Sequence, residues 1–407
     1  MGAWCRCCSP EVNDFILPVR INKRRSGSAV RLHEYEAKKL FLQNGISIPG
    51  GGLAKTSEEA ERIAAQIGRP VIVKAQILVG GRKKSGGIGF AETPEQARTV
   101  AQGILGRTIR GERVQELLVE ERLDIERELY AGVTVDTAAG CPIVMVSAQG
   151  GIDIETTASG NPDGIISKRL DIFRGLRPYE ARSMAKGLGF RSALMTEVAN
   201  TLLKLYGLFE SFGAMIAEIN PLVITRGASV VAADAVFEVD DSTLFRHPEL
   251  KALSMGRIAD PLSREGRRIG VSYVGLDGDI GVIASGAGLG MATVDLIGKR
   301  GRAANFLETG GGITQSLMAD VLRLILKRRG LRGIIINLYG GINPIHEGAK
   351  GIAQVIREEN IRIPIVAKAL GNFQEETWRT FEEAGVTVVK EIETERAVEE
   401  LFRRMGE

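Results

Sequence analysis

At 407 residues the chain exceeds what one hydrophobic core usually serves, and it divides into two or three units of ordinary globular make-up. Its 53 Lys and Arg against 50 Asp and Glu leave a net charge of only +3, which gives no global drive toward nucleic acid or an anionic membrane and points to small-molecule chemistry. No run approaches the roughly 18 consecutive apolar residues of a membrane span, and glycine breaks even short apolar stretches such as Gly281 to Ala287.

Of four cysteines, Cys5, Cys7 and Cys8 crowd the first ten residues and Cys141 stands alone, so no disulfide framework is written and a reducing cytoplasm fits. The leading cluster lacks a second Cys/His pair at zinc spacing. Arg6 sits where an N-myristoylation signal wants Ser or Thr, and Glu11 and Asp14 argue against a transit peptide. Residues 1–30 read as a disordered leader or a mis-set start, with Val30 standing for a GTG start codon just before Arg31.

From Leu32 the chain alternates helical and extended segments, the pattern of α/β layers. Leu32 to Leu42 reads as an amphipathic helix stopped at Gly45, and Thr56 caps a second. Val71-Ile72-Val73-Lys74-Ala75 is an apolar strand interrupted by a lysine, which either lies at an edge with its tip in water or aims at a ligand phosphate. Gly80 to Gly89 follows, where glycines allow backbone amides close to an anion and Arg82, Lys83 and Lys84 add positive charge. It reads as a lid over phosphates, and it is not a Walker A loop because G-x-x-x-x-G-K-[ST] is absent.

Leu117 to Glu120 is a strand ending in a carboxylate, and Ile125 to Tyr130 begins another that carries Glu128; two acids near strand ends suit a ribose. Met215 to Ile224 and Ser229 to Asp234 form the strongest cluster. Strand alternation puts Glu218 and Asn220 on one face, and a hairpin through Thr225 to Ala228 brings Asp234 to it, collecting three hard oxygen donors of the sort Mg²⁺ takes alongside nucleotide phosphates.

From about Leu262 an open parallel sheet is expected, with strands at Asp279 to Ala284, Ala303 to Leu307, Gly333 to Leu338 and Ile363 to Ala367. Ser285 to Gly290 is a G-x-G-x-G loop, with Glu308 about twenty residues on, which keeps a dehydrogenase reading open. Tyr339 to Pro344 joins a strand to a helix whose N-terminal amides suit a phosphate or carboxylate.

Leu32-His33-Glu34-Tyr35-Glu36-Ala37-Lys38, the Lys74 strand with its Gly-Gly-Arg loop, Glu218 to Val223 and Leu244-Phe245-Arg246-His247-Pro248 together resemble the beta subunit of succinyl-CoA synthetase, nearly end to end from residue 31. The resemblance implies an α/β architecture: an ATP-grasp fold over 31–255, then a flavodoxin-like, doubly wound parallel-sheet CoA-ligase domain over 262–407. It implies that Lys74, Gly81, Arg82 and Lys83 contact phosphates, that Glu120 and Glu128 help hold ATP or GTP, and that Asn220 and Asp234 ligate Mg²⁺. Glu218 matches the glutamate that steadies a phosphohistidine, while Ser285 and the stretch Gly341, Ile342, Asn343 line the acid site.

The same resemblance implies that a separate alpha subunit, in an αβ or α₂β₂ assembly, carries the phosphoacceptor histidine and most CoA contacts, since none of His33, His247 and His346 matches it. The implied reaction is the reversible succinate-CoA ligase step of the tricarboxylic acid cycle, in the cytoplasm. Several positions depart from the family pattern: Lys83 replaces glycine, Ser285 replaces asparagine, Asn343-Pro344-Ile345-His346 replaces Val-Arg-Cys-Asp, and Glu308-Thr309 replaces Asp-Val. They cluster in the acid half, so malate or citrate stands as an alternative acid. A carboxylate-amine ligase accounts for residues 31 to 250 only, and a non-catalytic nucleotide sensor leaves Glu218, Asn220 and Asp234 unexplained.

Overall fold

A computed structural model describes residues 29–152, 154, 162–258 and 260–407, in two compact units that divide at Leu250 and Lys251. The leader expectation falls on residues outside this set, except that the first described strand already includes Ala29 and Val30.

In the first unit the strands run β1 (Ala29–Arg31), β2 (Gly51–Ala54), β3 (Val71–Ala75), β4 (Ile88–Ala91), β5 (Thr108–Ile109), β6 (Glu112–Arg113), β7 (Leu117–Glu121), β8 (Ile125–Asp136), β9 (Cys141–Ser147), β10 (Ile165–Arg169), β11 (Ala214–Thr225), β12 (Val230–Ala232) and β13 (Val236–Asp240). Strands β2, β7, β3 and β4 form an antiparallel sheet in that order. Two helices cover it, Ser57–Ile67 and Pro94–Ile104, each started by a threonine whose hydroxyl accepts from the amide three residues on. Their alanines 60, 64, 97 and 101 are buried against Val71, Val73 and Val119, small side chains letting helix and sheet approach closely.

The larger sheet runs β1-β13-β11-β8-β9-β10, with β12 also pairing β11. The helix Ser192–Phe212 lies against β11 and β8 with Leu202, Leu205 and Phe209 buried. The β11–β12 hairpin turns through residues 225–228 as expected, closed by the Thr225 amide donating to the Ser229 carbonyl at 3.0 Å.

In the second unit the strands are β14 (Ser272–Gly275), β15 (Ile280–Ala284), β16 (Asn305–Glu308), β17 (Gly333–Gly340), β18 (Ile365–Gly371) and β19 (Thr387–Val389), in the spatial order β14-β16-β15-β17-β18-β19. Counting the five parallel strands from β15, the order is 2-1-3-4-5, which is flavodoxin-like. The sheet is not wholly parallel: β14, unread in the sequence, pairs antiparallel to β16 at the edge, where a short strand with exposed Ser272 and Val274 carries little apolar signal. Ile334, Ile336, Leu338 and Phe381 are fully buried on one face, and Val282, Ile335, Val366 and Leu401 on the other. The near-continuous apolar runs of β15 and β17 follow from this burial on both faces.

Candidate functional site

The expected lysine of β3 is not at an edge, since β3 is flanked by β7 and β4. Lys74 is buried, and its Nζ meets Glu34 Oε1 at 2.8 Å, Glu120 Oε2 at 2.9 Å and the Ala233 carbonyl at 2.7 Å. Lys38, one helical turn after Glu34, reaches the same two carboxylates, with Nζ at 2.9 Å from Glu34 and 2.6 Å from Glu120. From the glycine-rich loop, Arg82 places Nη2 at 2.8 Å from Asp234 Oδ1 and Nη1 at 2.5 Å from Glu34 Oε2. Three cations and three carboxylates thus close on each other, and the strand-end readings change accordingly.

The electrostatics are those of mutual neutralisation. Burial would push the Glu34 carboxyl up, but Arg82, Lys38 and Lys74 outweigh it and hold it well below the usual carboxylate range. Burial would likewise lower the Lys74 ammonium and the Arg82 guanidinium, yet the carboxylates of Glu34, Glu120 and Asp234 raise Lys74, and those of Asp234 and Glu34 raise Arg82. All three groups stay charged across the physiological range.

The hairpin sets the oxygen donors. Leu222 pairs with Ala232 and Glu218 with Val236, the same register on both sides of the turn-proximal irregularity, so Asn220 stands opposite Asp234. Along β11, Ala217 and Ile219 are buried while Glu218 and Asn220 are half-exposed, the alternation that puts the latter two on one face. Asn220 Oδ1 accepts from the Gly151 amide at 2.8 Å and its Nδ2 donates to the Ile152 carbonyl at 2.9 Å; the Tyr130 hydroxyl lies 3.4 Å from Glu218 Oε2. An amide oxygen facing a carboxylate is a hard-oxygen set of the kind that fits Mg²⁺, and Asn220 and Asp234 would hold the ion there. No cluster of three or more His, Cys, Asp or Glu suited to a metal exists among the described residues.

Two sequence expectations are separated by the fold. Glu120 lies buried on β7 between Lys38 and Lys74, whereas Glu128 is exposed on β8 in the other sheet of the unit, with its carboxylate beside Gly151, whose amide donates to Asn220 Oδ1. Gly81 is exposed with φ of +76°, the left-handed backbone that glycine adopts without strain. Lys83 begins a short 3₁₀ turn with Lys84 and Ser85, and its side chain lies outside the described residues.

The second unit has its own candidate. In a 2-1-3-4-5 sheet the order reverses between β15 and β17, and ligands bind beyond the carboxyl ends of the strands at that switch point. Ser285 follows β15 and is buried there; its Oγ accepts from the Tyr339 amide of β17 at 2.9 Å. Gly341, Ile342 and Asn343 follow β17, and Ile342 is 99% exposed at the tip. Asn372 braces this loop, donating from its amide to the Gly340 carbonyl and from Nδ2 to the Gly341 carbonyl at 2.7 and 2.6 Å. Pro344 caps the helix Ile345–Glu359 from just outside, one place earlier than a first-turn proline. Glu308 is not free for a dinucleotide ribose, because the Gly310 amide and the Ser272 hydroxyl take its two oxygens at 2.9 and 3.0 Å.

Comparison with known proteins bears on both units. An ATP-grasp domain family matches residues 31–224, and a CoA-ligase family matches residues 283–401. A succinate–CoA ligase [GDP-forming] subunit beta of Thermus thermophilus is 42% identical over 354 residues, covering 87% of this chain and 93% of that protein. This chain belongs to the succinate–CoA ligase beta-subunit family. A [ADP-forming] relative from Methanothermobacter thermautotrophicus is 40% identical over 372 residues, covering 91% of this chain and 99% of its own. Among solved structures, an ATP citrate lyase of Methanothrix soehngenii in complex with citrate and coenzyme A superposes with a TM-score of 0.71 over 92% of this chain and 100% of that one, at 18% identity, a likeness of fold.

Within this beta-subunit fold, Glu34 and Lys38 went unread as site residues because Leu32 to Leu42 passes as an ordinary amphipathic helix. The signal was present: Glu34 and Lys38 are an i, i+4 pair on the same stripe as Ala37 and Phe41, which are buried. The three histidines have the following surroundings. His33 caps the Glu34–Gln43 helix, His247 stacks on Phe212 with ring centroids 4.4 Å apart, and the His346 ring lies 4.5 Å from that of Phe373.

Proposed function

We propose that this chain is the nucleotide-binding beta subunit of a succinate–CoA ligase, using ATP or GTP with Mg²⁺ and CoA to form an acyl thioester, with a separate alpha subunit supplying the phosphoacceptor histidine and the CoA contacts. The observation that carries this is that Arg82 pairs with Asp234 while Lys74 bonds the carbonyl of the adjacent Ala233, beside the strand position of Asn220, in a chain of this family.

In this reading Asn220 and Asp234 hold Mg²⁺, which when bound neutralises charge on the transferring phosphoryl group. Lys74 and Arg82 orient phosphates, the amides around Gly81 approach them, and Lys83 adds charge. Glu120 fixes Lys74 rather than touching ribose, Glu128 holds the nucleotide from the opposite sheet, and Glu218 with the Tyr130 hydroxyl steadies the incoming imidazole. Ser285, Gly341, Ile342 and Asn343 receive the acid at the switch point. The domains are taken as 31–255 and 262–407, the location as cytoplasm, and the assembly as αβ or α₂β₂. The relatives' names divide between GDP-forming and ADP-forming, so either nucleotide is a candidate.

A second acid, malate or citrate, is favoured by one observation: the departures at Ser285 and Asn343 sit in the two loops of the switch point, where a change of hydrogen-bonding side chain alters discrimination by orders of magnitude. The test is CoA-dependent release of ADP or GDP by the chain co-expressed with its alpha subunit, across succinate, malate and citrate. Turnover with succinate supports the reading, and turnover with another acid alone moves it to that substrate. Tight Mg-nucleotide binding with no turnover on any of the three acids moves the reading to an untested acid or to a sensing subunit.

A further inference from the structure

Strands β5 and β6 belong to neither sheet of the first unit, forming a separate two-stranded hairpin joined through Arg110 and Gly111. Ile109 pairs with Glu112, so the loop has two residues, and both have positive φ, +50° for Arg110 and +86° for Gly111. That is a type I′ turn, whose first central position favours Asn, Asp or Gly; an arginine there occupies a backbone conformation it rarely adopts. Arg110 gains nothing from burial, since it is exposed.

What the turn achieves is an aimed guanidinium. Arg110 Nη1 donates to the Gly80 carbonyl at 2.9 Å. The guanidinium also lies flat against Gly81, so that a Cβ at position 81 would come within 2.9 Å of Nη2. The rest of the hairpin grips the same loop. Glu112 Oε2 accepts from the Leu78 amide at 2.8 Å, Ile109 Cδ1 would meet a Cβ at Gly87 at 3.1 Å, and Arg107 Nη1 would meet one at Gly86 at 3.5 Å. The glycine-rich loop is therefore held at both stems by one hairpin, and its apex residue Gly81 is covered by a cation.

We propose that the 107–113 hairpin is a clasp for the glycine-rich loop, and that Arg110 is a positioning residue that sets Gly80 and Gly81 where a nucleotide's phosphates meet their amides. This rests on the nucleotide-binding reading above. Arg110 acts through the loop: it fixes the peptide carbonyl of Gly80, and with it the direction of the Gly81 N–H. Its charge also adds to Arg82, Lys83 and Lys84; among the described residues it meets a carbonyl, whereas Arg82 meets the carboxylates of Glu34 and Asp234.

The test uses the full chain with Arg110→Asn, which keeps the turn because Asn suits the left-handed position, and Arg110→Lys, which keeps the charge without the planar fork. Hydrogen–deuterium exchange in the absence of nucleotide reads the loop directly. Losing one charge-assisted hydrogen bond should raise exchange across residues 78–87 by about tenfold in Arg110→Asn, with residues 107–113 and the melting temperature unmoved. Arg110→Lys should fall between. Affinity for Mg-ATP or Mg-GTP, by calorimetry, should fall by a similar factor. Unchanged exchange at 78–87 in Arg110→Asn overturns the clasp, even where the wild-type chain binds nucleotide. Faster exchange in a wild-type background that binds neither nucleotide upholds the clasp and removes the nucleotide reading instead.

Discussion

Glu34 is the residue on which the site's charges turn, because its carboxylate lies within 3 Å of the Lys38 and Lys74 ammonium groups and the Arg82 guanidinium. Removing one partner from a buried ionic cluster leaves uncompensated charge, so Glu34→Gln should destabilise by about 3–5 kcal/mol in urea titrations at neutral pH. Its folded-state pKa is depressed, so its contribution is present above the unfolded carboxyl value near 4.3 and is lost as pH falls through the folded value; the gap between wild type and Glu34→Gln should close in acid. A gap that stays constant down to pH 3 would show that charge is not what Glu34 supplies. Asp234 has a second role at this scale, because Arg82 stands beside the oxygen that Mg²⁺ would take. Asp234→Asn should therefore abolish most of the Mg²⁺-dependent gain in nucleotide affinity while leaving metal-free binding, measured in EDTA, within about threefold, since one hydrogen bond to Arg82 survives.

Among elements, close approach of backbones does what side chains do elsewhere. The helices Gln315–Leu326 and Ile345–Glu359 cross where Gly351 has no side chain; a Cβ there would fall 2.0 Å from the Gln315 carbonyl. Gly351→Ala forces the helices apart and should cost about 1–3 kcal/mol by thermal unfolding, more if the Pro344 end of the helix shifts with it. Since that helix starts at the β17 loop, the same variant should also raise KM for the acid, whereas loss of stability with KM unchanged would separate packing from the loop. Gly371, with φ of +112° and the Gly340 carbonyl 2.5 Å from where its Cβ would be, similarly explains how the β17 and β18 loops come to share the Asn372 brace.

Across the whole molecule, each unit has a core of its own, the alanine-lined one under β3 and β7 in the first and two faces of a six-stranded sheet in the second. Calorimetry on the full chain should accordingly show Mg-nucleotide shifting one of two unfolding transitions upward while leaving the other in place. A single transition raised as a whole would mean the units unfold together. Among the described residues no helix is long and apolar enough to cross a membrane.

The sequence by itself determined the types of the longer elements and the chemistry of the donors. Period-two burial in β11, the turn at 225–228 and the apolar runs of β15 and β17 are local consequences of side-chain spacing, so Glu218, Asn220, Asp234 and the switch-point loops were legible before any coordinates. Only tertiary structure decided which charges meet. Glu34 and Glu120 are 86 positions apart, and both lie within 3 Å of Lys38 and Lys74 because the fold brings the Glu34–Gln43 helix to the side chains that β7 and β3 present. Lys74 therefore finds protein carboxylates rather than water, Glu128 parts from Glu120 onto another sheet, and the short hairpin that grips Gly80 becomes visible. Pairings across such separations depend on how layers stack, and no window along the chain contains that information.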